Sequence, residues 1–268
     1  MGGGRRLAGD FRLKSGEDTS LHQALGLTRG EIISLTGGGG KSTLMRQLAL
    51  ELADAGYKVI ITTTTHILPD QGAGFFILEA NKKELFKKIK QAGTANPIIT
   101  VTCGQEANGK LKGPDPETIP ELLAFSDFII VEADGAQRKP LKAPNETEPV
   151  IVPETNIVVA VAGIDGVGKI AKDVVFRHEI AGRLIGISAD AVVTAADVAK
   201  LLAHPEGITR TSPPSARKVA FINKVESAQE QIDAIKIVEC LKKQTIFNHV
   251  IIGSLLGKPP SIRLIQIN

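Results

Sequence analysis

Four consecutive glycines, Gly37, Gly38, Gly39 and Gly40, run directly into Lys41, Ser42 and Thr43 after the apolar stretch Ile32-Ile33-Ser34-Leu35. A glycine stretch between a strand and a helix can turn successive backbone N–H groups toward one anion, and the helix N-terminus adds its partial positive charge. In that setting Lys41 reaches the β- and γ-phosphates of a nucleoside triphosphate and the Ser42 hydroxyl ligates Mg²⁺. The spacing departs from GxxxxGK[ST], which asks for a glycine at position 35, where Leu35 stands. A tighter loop is therefore expected. The competing reading is a flexible turn followed by a chance Lys-Ser.

A second pattern is Phe128-Ile129-Ile130-Val131-Glu132-Ala133-Asp134. A buried strand ending in two acids places carboxylates beside a phosphate loop in open α/β sheets. One of Glu132 and Asp134 can hold Mg²⁺ or its water, while the other orients or deprotonates a nucleophile. A solvated acidic turn is the plain alternative. Asn223-Lys224-Val225-Glu226 follows another apolar stretch and resembles the Asn-Lys-x-Asp element with which GTPases read guanine, although Glu226 replaces the aspartate. An ordinary strand-to-helix turn competes with that reading. Thr62, Thr63, Thr64, Thr65 and His66 end a further strand, where a hydroxyl such as that of Thr64 can bind Mg²⁺ or sense a γ-phosphate. Arg138, Lys139 and Lys142 can clamp an anionic substrate or a transferring phosphoryl group, or simply form a basic loop in solvent. Arg177-His178-Glu179 reads foremost as the start of a helix.

The elements that must position these groups follow from periodicity. Segments 31–36, 58–63, 98–102, 128–132, 156–162, 219–222 and 250–253 are rich in Ile and Val on consecutive residues, as expected of strands buried on both faces of a parallel sheet. Helices are expected over 42–55, 81–91, 116–125, 179–187, 195–202 and 226–242. In the last, Ile232, Ile235, Val238 and Leu241 suggest the apolar face. The alternation implies an α/β fold with a doubly wound, mostly parallel sheet, and the glycine loop ahead of Lys41 makes the P-loop nucleoside triphosphatase type the expected one. One domain spanning 1–268 is expected, with long loop insertions at about 104–116, 134–153 and 204–217.

Composition narrows the partners. The 268 residues carry a net charge of only +3 and 4% aromatic residues, which argues against an electrostatic or base-stacking nucleic-acid binder. No apolar run approaches a membrane span, and Arg5 and Arg6 near the start are not followed by the apolar region of a secretory signal. Cys103 and Cys240 are widely separated, which fits a reducing compartment. A cytoplasmic protein binding neither nucleic acid nor membrane is expected.

The segments TGGGGKSTLM, TTTTHI, EADGAQRKPLKAP, EPVIVP, AGIDGVG and NKVE occur in that order over 36–226. Together they resemble the selenium-dependent hydroxylase accessory proteins, most specifically over 132–144. The resemblance implies a nucleotide-binding protein that helps mature molybdenum hydroxylases carrying labile selenium, with such an enzyme or its maturation proteins as partner. It also implies a phosphate site from Gly37 through Thr43 and an acidic site at Glu132 and Asp134. Glu146 and Thr147 stand where that family usually has a histidine before its Glu-Pro-Val-Ile element, and Arg177-His178-Glu179 matches its Val-His-Arg-Pro-Glu element only loosely.

The expected activity is Mg²⁺-dependent hydrolysis of ATP or GTP. The Gly37, Gly38, Gly39 and Gly40 amides and Lys41 would hold phosphates, and Ser42 with Glu132 or Asp134 would hold the metal. Segments 62–66 and 134–144 would switch on loss of the γ-phosphate. A small-molecule kinase with its acceptor near Arg138, and a nucleotide-gated scaffold without hydrolysis, remain alternatives.

Overall fold

A computed structural model describes residues 19–257 and 261–267; Arg5 and Arg6 lie outside the described residues. Its centre is a nine-stranded sheet. The strands, in chain order, are β1 (Glu31–Gly37), β2 (Val59–Thr63), β3 (Phe75–Leu78), β4 (Ile98–Thr102), β5 (Phe128–Glu132), β6 (Ile157–Gly163), β7 (Arg217–Asn223), β8 (His249–Ser254) and β9 (Ser261–Gln266). They lie side by side as β9-β8-β7-β6-β1-β5-β2-β4-β3, all parallel except β9, which returns antiparallel to β8. The fold is thus α/β with a large, mostly parallel sheet.

The central strands read as apolar throughout because both faces are covered: every residue of β2, β4, β5 and β6 is buried. Helix α1 (Lys41–Asp54) lays Leu44, Met45, Leu48, Ala49 and Leu52 on one face of the sheet, at helical spacing. α2 (Lys82–Ala92) is capped by the Asn81 side chain, and buries Leu85 and Ile89 on the other face. α3 (His178–Ile185), α4 (Ala195–Ala203) and α5 (Ala228–Lys242) gather around the β6–β7–β8 side. Capping boxes of Thr194 with Asp197 and Ser227 with Glu230 fix the starts of α4 and α5.

Four expectations change. Residues 116–125 form two short 3₁₀ turns, Pro116–Thr118 and Pro120–Ala124, because Pro120 has no N–H for an α-helical ladder. The α5 face is Ala234, Ile237, Val238 and Leu241, with Ile232 exposed; a strict three-residue repeat drifts off one side of a 3.6-residue helix. α5 begins at Ala228, after its Ser227 cap, and not at Glu226. β3 and β9 were not anticipated: both are edge strands, and Phe75, Phe76 and Leu78 stay exposed.

β1 lies between β5 and β6, so the chain leaves it in one direction for β2 and later returns to its other side. Ligands of open α/β sheets bind at the carboxyl edge of such a switch point. Short strand pairs wall this edge. His66–Ile67 joins Leu111–Lys112, which also pairs with Gly104–Gln105, so the 104–116 loop is tied to the end of β2. Leu141–Lys142 pairs with Val175–Phe176 and draws the 134–153 loop toward the start of α3. Arg210 donates to the carbonyls of Asn145 and Glu146, and Thr211 to that of Pro149, so the 204–217 loop braces the same wall.

Candidate functional site

A cleft of about 790 Å³ opens over the carboxyl edge of the sheet. Its floor is Gly38, Gly39, Gly40, Lys41, Ser42 and Thr43, and Glu132 faces them from the end of β5. Around the walls Arg46, Lys110, Arg138, Lys139, Arg177 and Lys224 outnumber the acids Asp70, Glu132 and Glu148. The positive balance suits an anionic ligand. Among the described residues five non-glycine positions have positive φ, and four of them line the cleft: Gln137, Arg138, Arg177 and Lys224. Backbone held in that region persists only where its surroundings enforce it, which is common at ligand sites.

The glycine loop is as tight as its spacing suggested. A Cβ on Gly39 (φ 76°) would stand 2.1 Å from the Gly163 nitrogen, and one on Gly37 (φ 91°) 2.3 Å from the Val161 carbonyl. This close seating corrects which amides face the cleft. Gly37 N–H donates to both oxygens of Asp134, Gly38 N–H to the Val161 carbonyl at 3.0 Å, and Gly39 N–H to the Lys139 carbonyl at 3.0 Å. The N–H groups of Gly40, the N-cap of α1, and of Lys41, Ser42 and Thr43 in its first turn carry no acceptor within the described chain. The three leading glycines therefore anchor the loop, and the amides open to an anion begin at Gly40.

Beneath the loop runs a chain of alternating charges. Lys41 donates to the Gly37 carbonyl at 2.6 Å and stands 3.1 Å from Asp134 Oδ1. Lys142 stands 3.0 Å from Asp134 Oδ2 and 2.6 Å from Glu148, and also donates to the Gly135 carbonyl. Glu148 in turn accepts from Arg177, whose guanidinium sits over the Phe176 ring. Burial draws the Lys41 ammonium down, but the Asp134 and Glu132 carboxylates more than reverse it, so its pKa is raised. Burial dominates at Lys142 and lowers it despite the same Asp134, since Lys41 opposes a second cation there. Glu148 is pushed up by burial, yet Arg177 and Lys142 hold it below its ordinary range.

This arrangement changes the expected roles of several residues. Asp134 is fully buried and bound by two ammoniums and an amide, so it is an internal counter-ion and not an open metal ligand. Lys142 is buried with its donors engaged, and so cannot clamp a substrate. The Thr64 hydroxyl donates to the Val150 carbonyl at 2.7 Å and lies outside the cleft lining, whereas Thr65 and His66 belong to it. Arg138 stands at the rim, 81% exposed. The Asn223 amide donates to the Gly39 carbonyl at 2.8 Å and braces the loop. Lys224 lines the cleft and pairs with Asp165 at 2.8 Å, but Glu226 turns away to accept from Ser254 at 2.7 Å.

Ser42 and Glu132 do meet: the hydroxyl donates to Glu132 Oε2 at 2.9 Å. Burial pushes the Glu132 carboxyl up, offset only in part by Lys41 and by the Ser42 hydrogen bond. Among the described residues no three His, Cys, Asp or Glu side chains converge on one point. A hydroxyl paired with one carboxylate could supply one or two oxygens to a cation that takes its other ligands from phosphate and water, as Mg²⁺ does. Ser42 and Glu132 are the residues that would hold it.

Gln71, Arg46, Lys110, Glu148 and Arg177 line the same cleft but lay outside the sequence-derived site. Arg177 does precede a helix as expected, and in addition its left-handed backbone (φ 60°) accompanies a side chain that lines the cleft. Arg46 lies within α1, and Gln71, Lys110 and Glu148 are single polar residues in turns and loops, with no spacing to mark them.

The sheet and cleft define an α/β protein with a cationic pocket at the switch point of a mostly parallel sheet. Residues 33–179, more than half the chain, match the family described as YqeC protein. The chain is 32% identical over 226 residues to the uncharacterized protein YqeC of Escherichia coli (strain K12), covering 81% of this chain and 85% of that protein. It belongs to the YqeC family. Among the described residues no helix is long and apolar enough to cross a membrane.

Proposed function

We propose that this chain is a Mg²⁺-dependent nucleoside triphosphatase of the P-loop type, acting in the maturation of selenium-dependent molybdenum hydroxylases. In this reading it is one α/β domain whose three long loops surround the nucleotide. The carrying observation is the convergence, at one helix start, of four amides without acceptors, the Lys41 ammonium, and the Ser42–Glu132 pair. The amides of Gly40, Lys41, Ser42 and Thr43 hold the terminal phosphates, while Gly37, Gly38 and Gly39 fix the loop that aims them. Lys41 exchanges the Gly37 carbonyl for a phosphate oxygen. Bound Mg²⁺ supplies charge neutralisation at the β- and γ-phosphates. The maturation role rests on the motif resemblance over 36–226 and on YqeC membership.

Calorimetric titration of ATP and GTP with Mg²⁺, combined with phosphate release, tests the reaction. Saturable binding and turnover that both vanish in Lys41→Ala are expected. Unaltered binding and turnover in that variant would refute the reading. The cellular role predicts loss of selenium-dependent hydroxylase activity with the same variant at normal protein level. A kinase is the second reading, favoured by the exposed Arg138 and by Arg177 beside the phosphate floor. It predicts nucleotide consumption that stays slow until an anionic metabolite is added.

A further inference from the structure

Gln71 ends the short turn Pro69–Gln71 that follows the threonine-rich segment, and it lines the cleft opposite α1. Its side-chain Oε1 accepts from the Leu68 N–H at 2.6 Å, and its Nε2 donates to Ser42 Oγ at 2.8 Å. The first bond fixes the orientation of the amide, because a backbone N–H must meet the oxygen end. The end toward Ser42 is therefore the NH₂ group.

Ser42 then has a defined set of partners. Its proton goes to Glu132, and one of its lone pairs is taken by Gln71. An electropositive NH₂ group on that oxygen and a cation on the same oxygen repel one another. Metal at Ser42 is thus favoured when the Gln71 amide has turned away; the amide is held by this bond and the one from Leu68 N–H, while the Gln71 backbone N–H donates to the Leu68 carbonyl at 2.9 Å.

We propose that Gln71 is the positioning residue that reports metal–nucleotide binding at Ser42: its amide guards the hydroxyl in the free protein, is displaced when Mg²⁺-nucleotide binds, and then orients the attacking water. The inference rests on the triphosphatase reading. In the step it serves, the water oxygen forms a bond to the γ-phosphorus and the bond from that phosphorus to the β–γ bridging oxygen breaks. The nucleoside diphosphate leaves with the electron pair, and both water protons end on the phosphate product, as H₂PO₄⁻. A planar amide with one donor and one acceptor end can hold such a water, as glutamines do in other phosphoryl-transfer sites.

The test uses the full chain and two variants. Gln71→Ala removes both bonds; Gln71→Glu keeps the acceptor for Leu68 N–H but has no donor for Ser42. Mg²⁺ is titrated by calorimetry in the presence of a non-hydrolysable ATP or GTP analogue, and turnover is measured separately. Both variants are expected to bind Mg²⁺ more tightly, about three- to tenfold for Gln71→Ala, the worth of one hydrogen bond. Both are expected to lose about tenfold or more in kcat at saturating metal. A residue that only anchors its loop would leave Gln71→Glu like the wild type and would not tighten metal binding, and either result overturns the inference. If the wild type binds nucleotide and turns over while both variants match it, the inference fails and the triphosphatase reading stands. If the wild type binds no nucleotide, the triphosphatase reading itself is what has failed.

Discussion

Lys41 stands 3.1 Å from Asp134 with both side chains buried, so the amine of the glycine loop rests on a carboxylate that Lys142 holds from its other oxygen. The three groups are unequal in what their loss exposes. Asp134→Ala leaves two buried ammoniums without their shared counter-ion, a change that costs about 3–5 kcal/mol when a buried pair is broken. Lys41→Ala leaves Asp134 still paired with Lys142 and accepting from Gly37, so its effect on stability is expected to be distinctly smaller. Urea denaturation of the two variants checks the order. Equal midpoints would mean that Lys142 and the Gly37 amide do not satisfy the carboxylate without Lys41.

The glycines of the loop should separate into those that seat it and those that do not. A Cβ on Gly40 (φ 127°) would lie 2.2 Å from Asn223 Nδ2, and one on Gly39 2.1 Å from the backbone of Gly163. Gly40→Ala meets a side chain that can swing away, which breaks the Asn223 bond to Gly39, and its φ is strained for a residue with a Cβ, so nucleotide affinity should fall with a modest loss of stability. Gly39→Ala meets backbone, and overpacking of that kind costs about 1–3 kcal/mol or more. Gly135→Ala, with nothing within 4 Å and no positive φ, should match the wild type in melting temperature. Thermal melts alongside nucleotide titration distinguish the three.

The parallel sheet was legible because its strands are apolar on consecutive residues, a pattern that burial on both faces alone requires. Lys41, Ser42 and Glu132 were legible as a set because a strand, a glycine loop and a helix in succession have few ways to fold. Asp134 was legible as a carboxylate near the loop, but its pairing with two lysines was not. One residue decides between open ligand and internal counter-ion: Lys142, eight positions on, reaches back because Leu141–Lys142 pairs with Val175–Phe176, a contact no local pattern announces. Gln71, Glu148 and Arg177 were hidden for the same reason. Each is brought to the cleft by a loop whose path is set by tertiary pairing and not by periodicity. The edge strands escaped notice because an exposed run such as Phe75 to Leu78 lacks the two-sided burial that marks the others.

Metal binding should carry the pH dependence of Glu132. Burial raises its pKa above the ordinary value of 4.5, so the folded protein holds a proton there over a range in which an unfolded glutamate has lost it. The sign follows: Glu132 makes a contribution to stability that declines as pH rises through its folded pKa, whereas Mg²⁺ binding gains over the same range, because the cation needs the carboxylate. Mg²⁺ affinity in the presence of a nucleotide analogue is therefore expected to fall on acidification at a pH above that of a free glutamate. Glu132→Gln should flatten the profile. Calorimetry across mildly acidic buffers reads both, and a pH-independent affinity in the wild type would remove Glu132 from the metal site.

If the cleft takes a nucleotide as proposed, its geometry turns base selection away from Glu226. That carboxylate accepts from Ser254 at 2.7 Å on the β8 side and does not line the cleft, while Lys224, two residues earlier, does. A left-handed backbone at Lys224 (φ 67°) lets the chain turn so that the lysine faces the cleft and pairs with Asp165. A carboxylate selects guanine only by accepting from its edge, which Glu226 cannot do while held by Ser254. Glu226→Ala is therefore expected to leave the ratio of ATP to GTP affinity within about twofold, less than the worth of a typical hydrogen bond. Lys224→Ala, which removes a cation from the wall and frees Asp165, should weaken both nucleotides. Competition titrations on the two variants decide the matter: a loss of GTP preference in Glu226→Ala would show that the side chain leaves Ser254 for the base when nucleotide binds.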